Sequence, residues 1–269
     1  MANDVRLIAL DLDGTLLDSA KLVDPQTTDA IKRACARGIH VVIASARPPR
    51  GVRHIYQQLC LNTWQINYNG ALIWDEPQRR AVFHRPMPAG IVRQIVDVAR
   101  DQFEEIGVHV EVMDRWLTDR PIEHHVTETG KLFQPDAIVP IEQCCASPVT
   151  KLMLMGEPTM LMKLEPLLLA SFGRQVTIVS TDAHLMQIMD AKVGKAMALK
   201  KIAVHHGIRR DQIMAVGDAP NDLGMLQFAG IAVAMENAHP IIKREARWIA
   251  PANDAQGVLA ALRHFGVVD

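Results

Sequence analysis

Two acidic side chains follow an apolar segment close to the start of the chain. Residues 7–10 read LIAL, which is typical of a buried strand, and Asp11 and Asp13 come directly after it. Side chains two residues apart on a strand point the same way, so these carboxylates repel each other unless a cation binds them or one is protonated. Gly14 indicates that the chain turns here. The pair predicts a metal site or an acid–base pair, and an exposed acidic turn is the alternative.

A second apolar segment also ends in acidic residues. Residues 213–217 read IMAVG, and Asp218, Asn221 and Asp222 follow. Hard cations such as Mg²⁺ prefer carboxylate oxygens as ligands. In an open parallel sheet, ligands bind at the carboxyl ends of the strands. If the two apolar segments are strands of one such sheet, their acidic residues meet in one crevice.

Two further residues are candidates for binding an anion. Ser45 follows the apolar segment 39–44 and would stand at the same edge of the sheet, although it can equally serve as the N-cap of the next helix, about 50–59. Lys195 lies in the first turn of a helix that opens within 191–199, where a cation opposes the helix dipole. This position indicates a nearby anion, and a solvated surface lysine is the alternative.

The segments between these residues predict an α/β fold. A strand at 5–10 is followed by Asp24 as a helix N-cap, by Pro25 in the first turn and by a helix to about Arg37. The strand 39–44 comes next, so the unit is a right-handed crossover of a parallel sheet. Residues 66–73 predict two strands joined by a turn at Asn69 and Gly70.

The middle of the chain has a different pattern. Short strands and longer helices indicate an α+β insert with antiparallel pairing, and residues 121–143 carry no clear pattern. The predicted elements are helices at 89–106 and 158–171, and strands at 108–113, 149–155, 176–179 and 185–189.

Composition excludes several classes of protein. The chain has 269 residues, of which 49% are hydrophobic, so it can bury one large core or two moderate ones. Its net charge of −1 provides no field for nucleic acid or an anionic membrane. No apolar run approaches the ~20 residues of a membrane span. The chain enters its first strand without a secretory signal pattern, so we expect a cytoplasmic protein.

Taken in order, these motifs resemble those of the haloacid dehalogenase-like phosphohydrolases. Residues 11–16, DLDGTL, resemble the nucleophile motif of that family, and Ser45 with Arg47 resembles its second motif. Lys195 resembles the third motif, with Lys192 as a weaker rival, and residues 217–222, GDAPND, resemble the fourth. Ala46 and Ala196 stand where the family usually has glycine.

The resemblance implies a Rossmann-like, doubly wound parallel sheet formed by residues 1–84 and 190–269. It also implies that residues 85–189 are an inserted α+β cap. The insert follows the second motif, as in the C2 cap type, and its α/β repetition favours the B subtype of that cap. The resemblance is to the Cof-type phosphatases of the family. The interval between Asp13 and Ser45 is too short for the other cap type.

The resemblance also implies the role of each site residue. Asp11 is the expected nucleophile, which forms an aspartyl-phosphate, and Asp13 is the expected general acid and base. Mg²⁺ is the expected cofactor, held by Asp11, the backbone carbonyl of Asp13 and Asp218, while Asp222 supports a bound water or orients Lys195. The phosphoryl oxygens are expected to contact Ser45, Lys195, Asn221 and the backbone amides of Leu12 and Ala46.

The sequence therefore predicts a Mg²⁺-dependent phosphatase that acts on small phosphorylated metabolites. We expect no nucleic-acid or membrane partner, and a monomer or weak homodimer. A phosphomutase or phosphotransferase on the same scaffold and a non-catalytic protein that binds phosphorylated metabolites are the alternatives.

Overall fold

The computed structural model describes residues 4–120 and 133–269. The chain forms two compact units, Met1–Val82 with Gly194–Asp269 and Phe83–Val193, which we call the first and the second unit. Across the described residues, no helix has the length and apolar character that crossing a membrane would require.

A parallel sheet of five strands forms the centre of the first unit, in the order β14-β13-β12-β1-β2. Leu7 of β1 pairs with Ile213 on one side and His40 on the other, so β1 is an interior strand, and all four of its residues are buried. The predicted α/β fold with a parallel sheet is confirmed. The strands are β1 Leu7–Leu10, β2 His40–Ile43, β12 Ile213–Gly217, β13 Ile231–Met235 and β14 Trp248–Ala250.

Six α-helices of the first unit connect and cover these strands. The carboxylate of Asp24 accepts a hydrogen bond from the amide of Thr27 and caps the first helix, as predicted. The second helix has Pro48 at its N-cap, so Ser45 does not cap it, contrary to one of the two interpretations of that residue. The helices are α1 Pro25–Ala36, α2 Pro49–Gln58, α6 Lys195–His205, α7 Leu223–Phe228, α8 Pro240–Glu245 and α9 Gly257–His264.

A small sheet of three strands contains β3 (Gln65–Asn67), β4 (Leu72–Asp75) and β5 (Arg80–His84), in the order β3-β4-β5. A single 3₁₀ turn, Tyr68–Gly70, joins β3 to β4 at the predicted position. Next to it, buried Glu76 accepts hydrogen bonds from Arg53 Nε at 2.6 Å, Trp74 Nε1 at 2.9 Å and Gln65 Nε2 at 3.2 Å.

The second unit contains a sheet of six strands in the order β10-β11-β9-β6-β7-β8. Its strand pairs are antiparallel except for β7 with β8. The elements are β6 Gly107–Val112, β7 Arg115–Thr118, β8 Ala137–Ile138, β9 Lys151–Met155, β10 Val176–Asp182, β11 Leu185–Asp190, α3 Ala89–Gln102, α4 Ile141–Cys144 and α5 Pro158–Phe172.

The second unit differs from the sequence-based elements at several places, and β8 and α4, at the end of the stretch without a clear pattern, were not predicted. The prediction lacks β7, because this strand of four residues follows β6 with a reversal at Met113, whose φ is +55°. The helix predicted to reach residue 106 ends at Gln102, because Phe103 is extended. Residues 121–132, part of the stretch without a clear pattern, lie outside the described residues.

The two faces of this sheet differ in chemistry. One face packs on α3 and α5 through apolar side chains such as Val110, Leu152 and Leu164. The alternate residues point the other way, and there Lys151 and Glu111 form a cross-strand ion pair at 3.3 Å, with both side chains buried. Buried His109 lies one pleat away on the same face.

Candidate active site

A buried lysine joins two carboxylates at the end of β1. Asp11 follows the strand directly, Lys195 is the first residue of α6, and Asp222 lies in the 3₁₀ turn after β12. The ammonium of Lys195 donates to Asp11 Oδ1 at 2.5 Å and to Asp222 Oδ1 at 2.6 Å. All three side chains are buried. The structure therefore brings residues of the first, third and fourth motifs into direct contact.

Hydrogen bonds after β12 hold the carboxylates of Asp222 and Asp218 in place. Asp222 Oδ2 accepts hydrogen bonds from the amides of Asp218 and Ala219, both at 3.0 Å, and so holds the turn together. Asp218 Oδ1 accepts a hydrogen bond from the hydroxyl of Thr15 at 2.8 Å. Gly14 has a φ of +82°, and a Cβ there would lie 2.4 Å from Asp218 Oδ2, so glycine allows this close approach.

Burial dominates the electrostatics of the cluster. It raises the pKa of Asp11 well above its ordinary value, with a further contribution from the charge of Asp222 and an opposing one from Lys195. The pKa of Asp218 is also raised by burial, against the hydrogen bond from Thr15. Burial lowers the pKa of Lys195, but Asp11 and Asp222 outweigh it, so the ammonium stays charged. The site thus holds more carboxyl groups than one lysine can balance if all of them are ionised.

The donor set of this cluster fits a hard divalent cation. Asp11, Asp218 and Asp222 each offer a carboxylate oxygen, and these oxygens lie within 4.8 Å of one another. Carboxylate oxygens suit Mg²⁺. Burial raises the pKa of Asp11 and Asp218, and a bound cation would offset this by stabilising their ionised forms. Among the residues that the structure describes, the carboxylate of Asp13 is not part of this group.

Asp13 instead forms ion pairs of its own. Its carboxylate accepts from Arg47 Nε at 2.8 Å and Nη2 at 2.6 Å, and from Lys21 Nζ at 2.8 Å. Burial raises the pKa of Asp13, but the hydrogen bonds and charges of Arg47 and Lys21 outweigh it, so the pKa lies below its ordinary value. In this arrangement Asp13 carries a negative charge.

The loop after β2 lies beside this ion pair. The hydroxyl of Ser45 is buried and accepts a hydrogen bond from the amide of Arg47 at 3.1 Å. Ala46 is half-buried, and Leu12 is buried directly after Asp11. Arg47 contacts both Ser45 and Asp13. The contacts of the Leu12 and Ala46 backbone amides with a phosphoryl group stay a prediction.

Two of the remaining candidates are exposed. The side chain of Asn221 donates from Nδ2 to Asn69 Oδ1 at 2.9 Å. Lys192 is an exposed residue of the second unit whose backbone amide binds Asp190, so the geometry favours Lys195 over Lys192 as the lysine of the cluster.

Three residues that contact the candidate set were not predicted as site residues: Thr15, Lys21 and Asn69. Thr15 is part of the DGTL motif, which identifies it only through the resemblance. Asn69 has a local signal, since Asn-Gly predicts a turn, but its partner lies 152 positions away. Lys21 has a φ of +63°, which its sequence does not reveal.

Comparison with known proteins supports a single family. The sequence matches the haloacid dehalogenase-like hydrolases over residues 8–262. A putative phosphatase of Streptococcus pyogenes is 30% identical over 268 residues, which cover 97% of this chain and 98% of the relative. A 5-amino-6-(5-phospho-D-ribitylamino)uracil phosphatase of Bacillus subtilis is 30% identical over 263 residues, which cover 96% and 97%.

Solved structures share the fold over nearly the whole chain. A protein of Thermotoga maritima matches with a TM-score of 0.86 and 23% identity, covering 97% of each chain. A phosphatase of the haloalkanoate superfamily from Bacteroides thetaiotaomicron matches with a TM-score of 0.81 and 26% identity, covering 98% of this chain and 96% of its own. The family match spans all four motifs and confirms the resemblance. The chain belongs to the haloacid dehalogenase-like hydrolases.

Proposed function

We propose that this hydrolase is a Mg²⁺-dependent phosphatase that cleaves small phosphorylated metabolites through an aspartyl-phosphate on Asp11. The observation that carries the proposal is the position of Asp11 at the end of β1, buried against the ammonium of Lys195 and beside two more carboxylates. Lys195 places one positive charge beside the nucleophile, and the carboxylates offer ligands for a divalent cation that would add more. Positive charge near the nucleophile is what the attack of a carboxylate on an anionic ester requires.

The proposed reaction has two steps, formation and hydrolysis of the aspartyl-phosphate. A carboxylate oxygen of Asp11 forms a bond to phosphorus while the ester P–O bond breaks, and the leaving oxygen takes a proton. Water then attacks the aspartyl-phosphate and loses a proton, which releases inorganic phosphate and restores Asp11. One ester and one water become one alcohol and one phosphate.

Asp13 is the proposed carrier of the proton in both steps. Its anionic state, paired with Arg47 and Lys21, suits the second step, in which it takes a proton from water. For the first step it must hold a proton, so the bound substrate has to replace at least part of these ion pairs. Arg47 and Lys21 are then free to face the substrate's negative charge.

Mg²⁺ would supply positive charge that offsets the repulsion between the carboxylates and the phosphoryl group. Asp11 and Asp218 are the side chains proposed to hold it, together with the backbone carbonyl of Asp13. Both oxygens of Asp222 already accept hydrogen bonds, which supports the role of orienting Lys195 over that of supporting a water. Lys195 is proposed to contact a phosphoryl oxygen while it stays beside Asp11.

The phosphoryl group is proposed to be held mainly by groups around the Ser45 loop and the Asp218 turn. They are the Ser45 hydroxyl, the Asn221 amide, the Lys195 ammonium and the backbone amides of Leu12 and Ala46. Positioning of this kind provides most of the catalysis in phosphoryl transfer.

Relatives indicate the class of substrate. One is named for 5-amino-6-(5-phospho-D-ribitylamino)uracil, and a relative in Serratia proteamaculans, 27% identical, is named an HMP-PP phosphatase. Both names describe small phosphorylated metabolites. We propose that this chain acts on the same class, and that the second unit is its cap and sets the preference within the class.

The test is phosphate release from a panel of sugar phosphates, nucleotides and phosphorylated vitamin precursors, with Mg²⁺ or with EDTA. We expect Mg²⁺-dependent release by the wild type and none by Asp11→Asn. Asp29→Asn, an exposed aspartate on α1, is the matched control and should behave like the wild type. Activity of purified Asp11→Asn would contradict the role of the nucleophile.

The same panel separates the alternatives. A phosphotransferase or mutase would move the phosphoryl group to a second organic molecule, so mass spectrometry would find a new phosphate ester and little free phosphate. A non-catalytic binding protein would change its melting temperature when one of the metabolites binds, but it would release no phosphate.

A further inference from the structure

The turn between β3 and β4 is held in an unfavourable backbone conformation. Tyr68, Asn69 and Gly70 have φ values of +49°, +54° and +101°, one after another. Glycine adopts such angles freely and asparagine tolerates them, but a buried tyrosine rarely does. Strain of this kind persists where the surrounding structure determines the backbone, and it concentrates at functional sites.

Hydrogen bonds fix this turn to the loop after β2. The amide of Asn69 donates to the carbonyl of Ser45 at 3.0 Å. The carbonyl of Arg47 accepts from the amide of Tyr68 at 3.4 Å and from Asn67 Nδ2 at 3.1 Å. The turn is therefore attached to the loop that carries a proposed phosphate-binding hydroxyl.

The opposite side of the turn packs on the segment that leads into α6. A Cβ at Gly70 would lie 2.4 Å from the carbonyl oxygen of Gly194, and Gly194 directly precedes Lys195. This close packing allows little change in the position of the turn. The backbone of the turn is thus set by two segments of the proposed site.

The side chain of Asn69 contacts a third segment of the proposed site, the turn after β12. Its Oδ1 accepts the hydrogen bond from Asn221 Nδ2 at 2.9 Å, and Asn221 is otherwise an exposed residue of the turn between Asp218 and Asp222. An exposed amide samples several rotamers unless a partner holds it. Asn69 supplies that partner from a rigid, half-buried position.

We propose that Asn69 is a positioning residue, which holds the side chain of Asn221 ready to donate to the phosphoryl group. One hydrogen of the Asn221 amide goes to Asn69, and the second stays available for a phosphoryl oxygen. The inference rests on the proposed function and adds to it a residue that acts through Asn221.

Asn69→Gly is the informative variant, because glycine accepts the backbone angle of +54° and removes only the amide. We expect kcat for phosphate release to fall about tenfold, since a misplaced contact reduces turnover by roughly that amount or more. The urea unfolding midpoint should stay near that of the wild type. Cys60→Gly is the matched control, because Cys60 is exposed, has a φ of +52° and lies at the end of α2.

A double-mutant cycle tests the route through Asn221. Asn69→Gly combined with Asn221→Ala should be no slower than Asn221→Ala alone, because the partner of Asn69 is already gone. Fully additive losses would overturn this route. Wild-type kcat in Asn69→Gly would overturn the positioning role.

A spectroscopic measurement separates this proposal from the proposed function. In ¹H–¹⁵N spectra without substrate, the side-chain NH₂ signal of Asn221, identified by its loss in Asn221→Ala, should shift in Asn69→Gly and not in Cys60→Gly. An unshifted signal overturns the inference whether or not the protein is a phosphatase. If the signal shifts while wild-type and Asp11→Asn proteins are equally inactive, the contact holds and the proposed function fails, and the catalytic role of Asn69 fails with it.

Discussion

Acid should unfold this protein in part through one buried histidine of the second unit. His109 lies on β6 with 2% of its surface exposed, and its ring is 5.9 Å from that of Trp116. Burial lowers the pKa of His109 from 6.5 to about 4, against the smaller opposing charges of Asp119 and Glu111. The folded protein therefore keeps this imidazole neutral at pH values where the unfolded chain protonates it.

The sign and size of the change in the free energy of unfolding follow from the linkage between protonation of His109 and folding. Above pH 6.5 both states are neutral and the contribution of His109 to stability is fully present. As the pH falls from 6.5 towards 4, only the unfolded state binds the proton, so the free energy of unfolding decreases. At about 1.4 kcal/mol for each pH unit, the loss reaches about 3 kcal/mol near pH 4.

Urea unfolding of the wild type and of His109→Phe, at pH 7.5, 6.5, 5.5 and 4.5, measures this loss. Phenylalanine keeps an aromatic ring beside Trp116 but does not titrate, so the variant should lose less stability on acidification. Met153→Leu is the control, because Met153 pairs with His109 across the sheet and carries no titrating group. Parallel loss of stability in the wild type and His109→Phe would refute the reasoning.

Three further predictions concern the first unit. Lys195→Met should reduce phosphate release by about 10²–10³-fold, because its ammonium contacts Asp11 in the cluster. Gly14→Ala should displace the carboxylate of Asp218, lower the affinity for Mg²⁺ and reduce stability by about 1–3 kcal/mol, measured by calorimetric titration and urea unfolding. Glu76→Ala should lower the free energy of unfolding by about 2 kcal/mol, because it removes a buried carboxylate that accepts hydrogen bonds from four side chains, and urea unfolding measures it.

Each of these variants has a matched control in the chain. Lys192→Met removes an exposed lysine three residues before Lys195 and should keep full activity; an equal loss would argue against the contact with Asp11. Gly90→Ala adds a methyl group where nothing lies within 4 Å and should leave Mg²⁺ binding intact. Glu104→Ala removes an exposed glutamate, and a Glu76→Ala midpoint no lower than that of Glu104→Ala would contradict the role of Glu76.

Local rules were enough to predict three strands of the central sheet, β1, β2 and β12, and the acidic residues that follow two of them, but not β13 and β14. Apolar segments followed by carboxylates predicted β1 and β12 because a buried strand must end where polar residues begin. Asp24 predicted the start of α1 because capping depends on residues within one turn. The conflict of Lys195 with its helix dipole left a solvated surface lysine as the alternative, and the structure instead shows two carboxylates in contact with it.

Contacts between distant residues were beyond the sequence. The pairing of Asp13 with Arg47 depends on a loop 34 positions away, and the pairing of Asn69 with Asn221 on one 152 positions away. Sequence patterns report the direction in which a backbone points its side chains, and they do not report which of several nearby cations a carboxylate selects. The same limit explains Ser45, whose hydroxyl binds the loop amide of Arg47 instead of capping α2.

The position of β1 between β2 and β12 has a consequence for how the protein is made. On the ribosome, Leu7 and His40 emerge early, but the second neighbour of Leu7 is Ile213, which is translated only after all of Phe83–Val193. The second unit is continuous and can complete its own contacts first, while β1, the strand that leads to Asp11, still has one open edge. Nascent chains that end before residue 213 therefore expose a hydrophobic strand edge to chaperones and to aggregation.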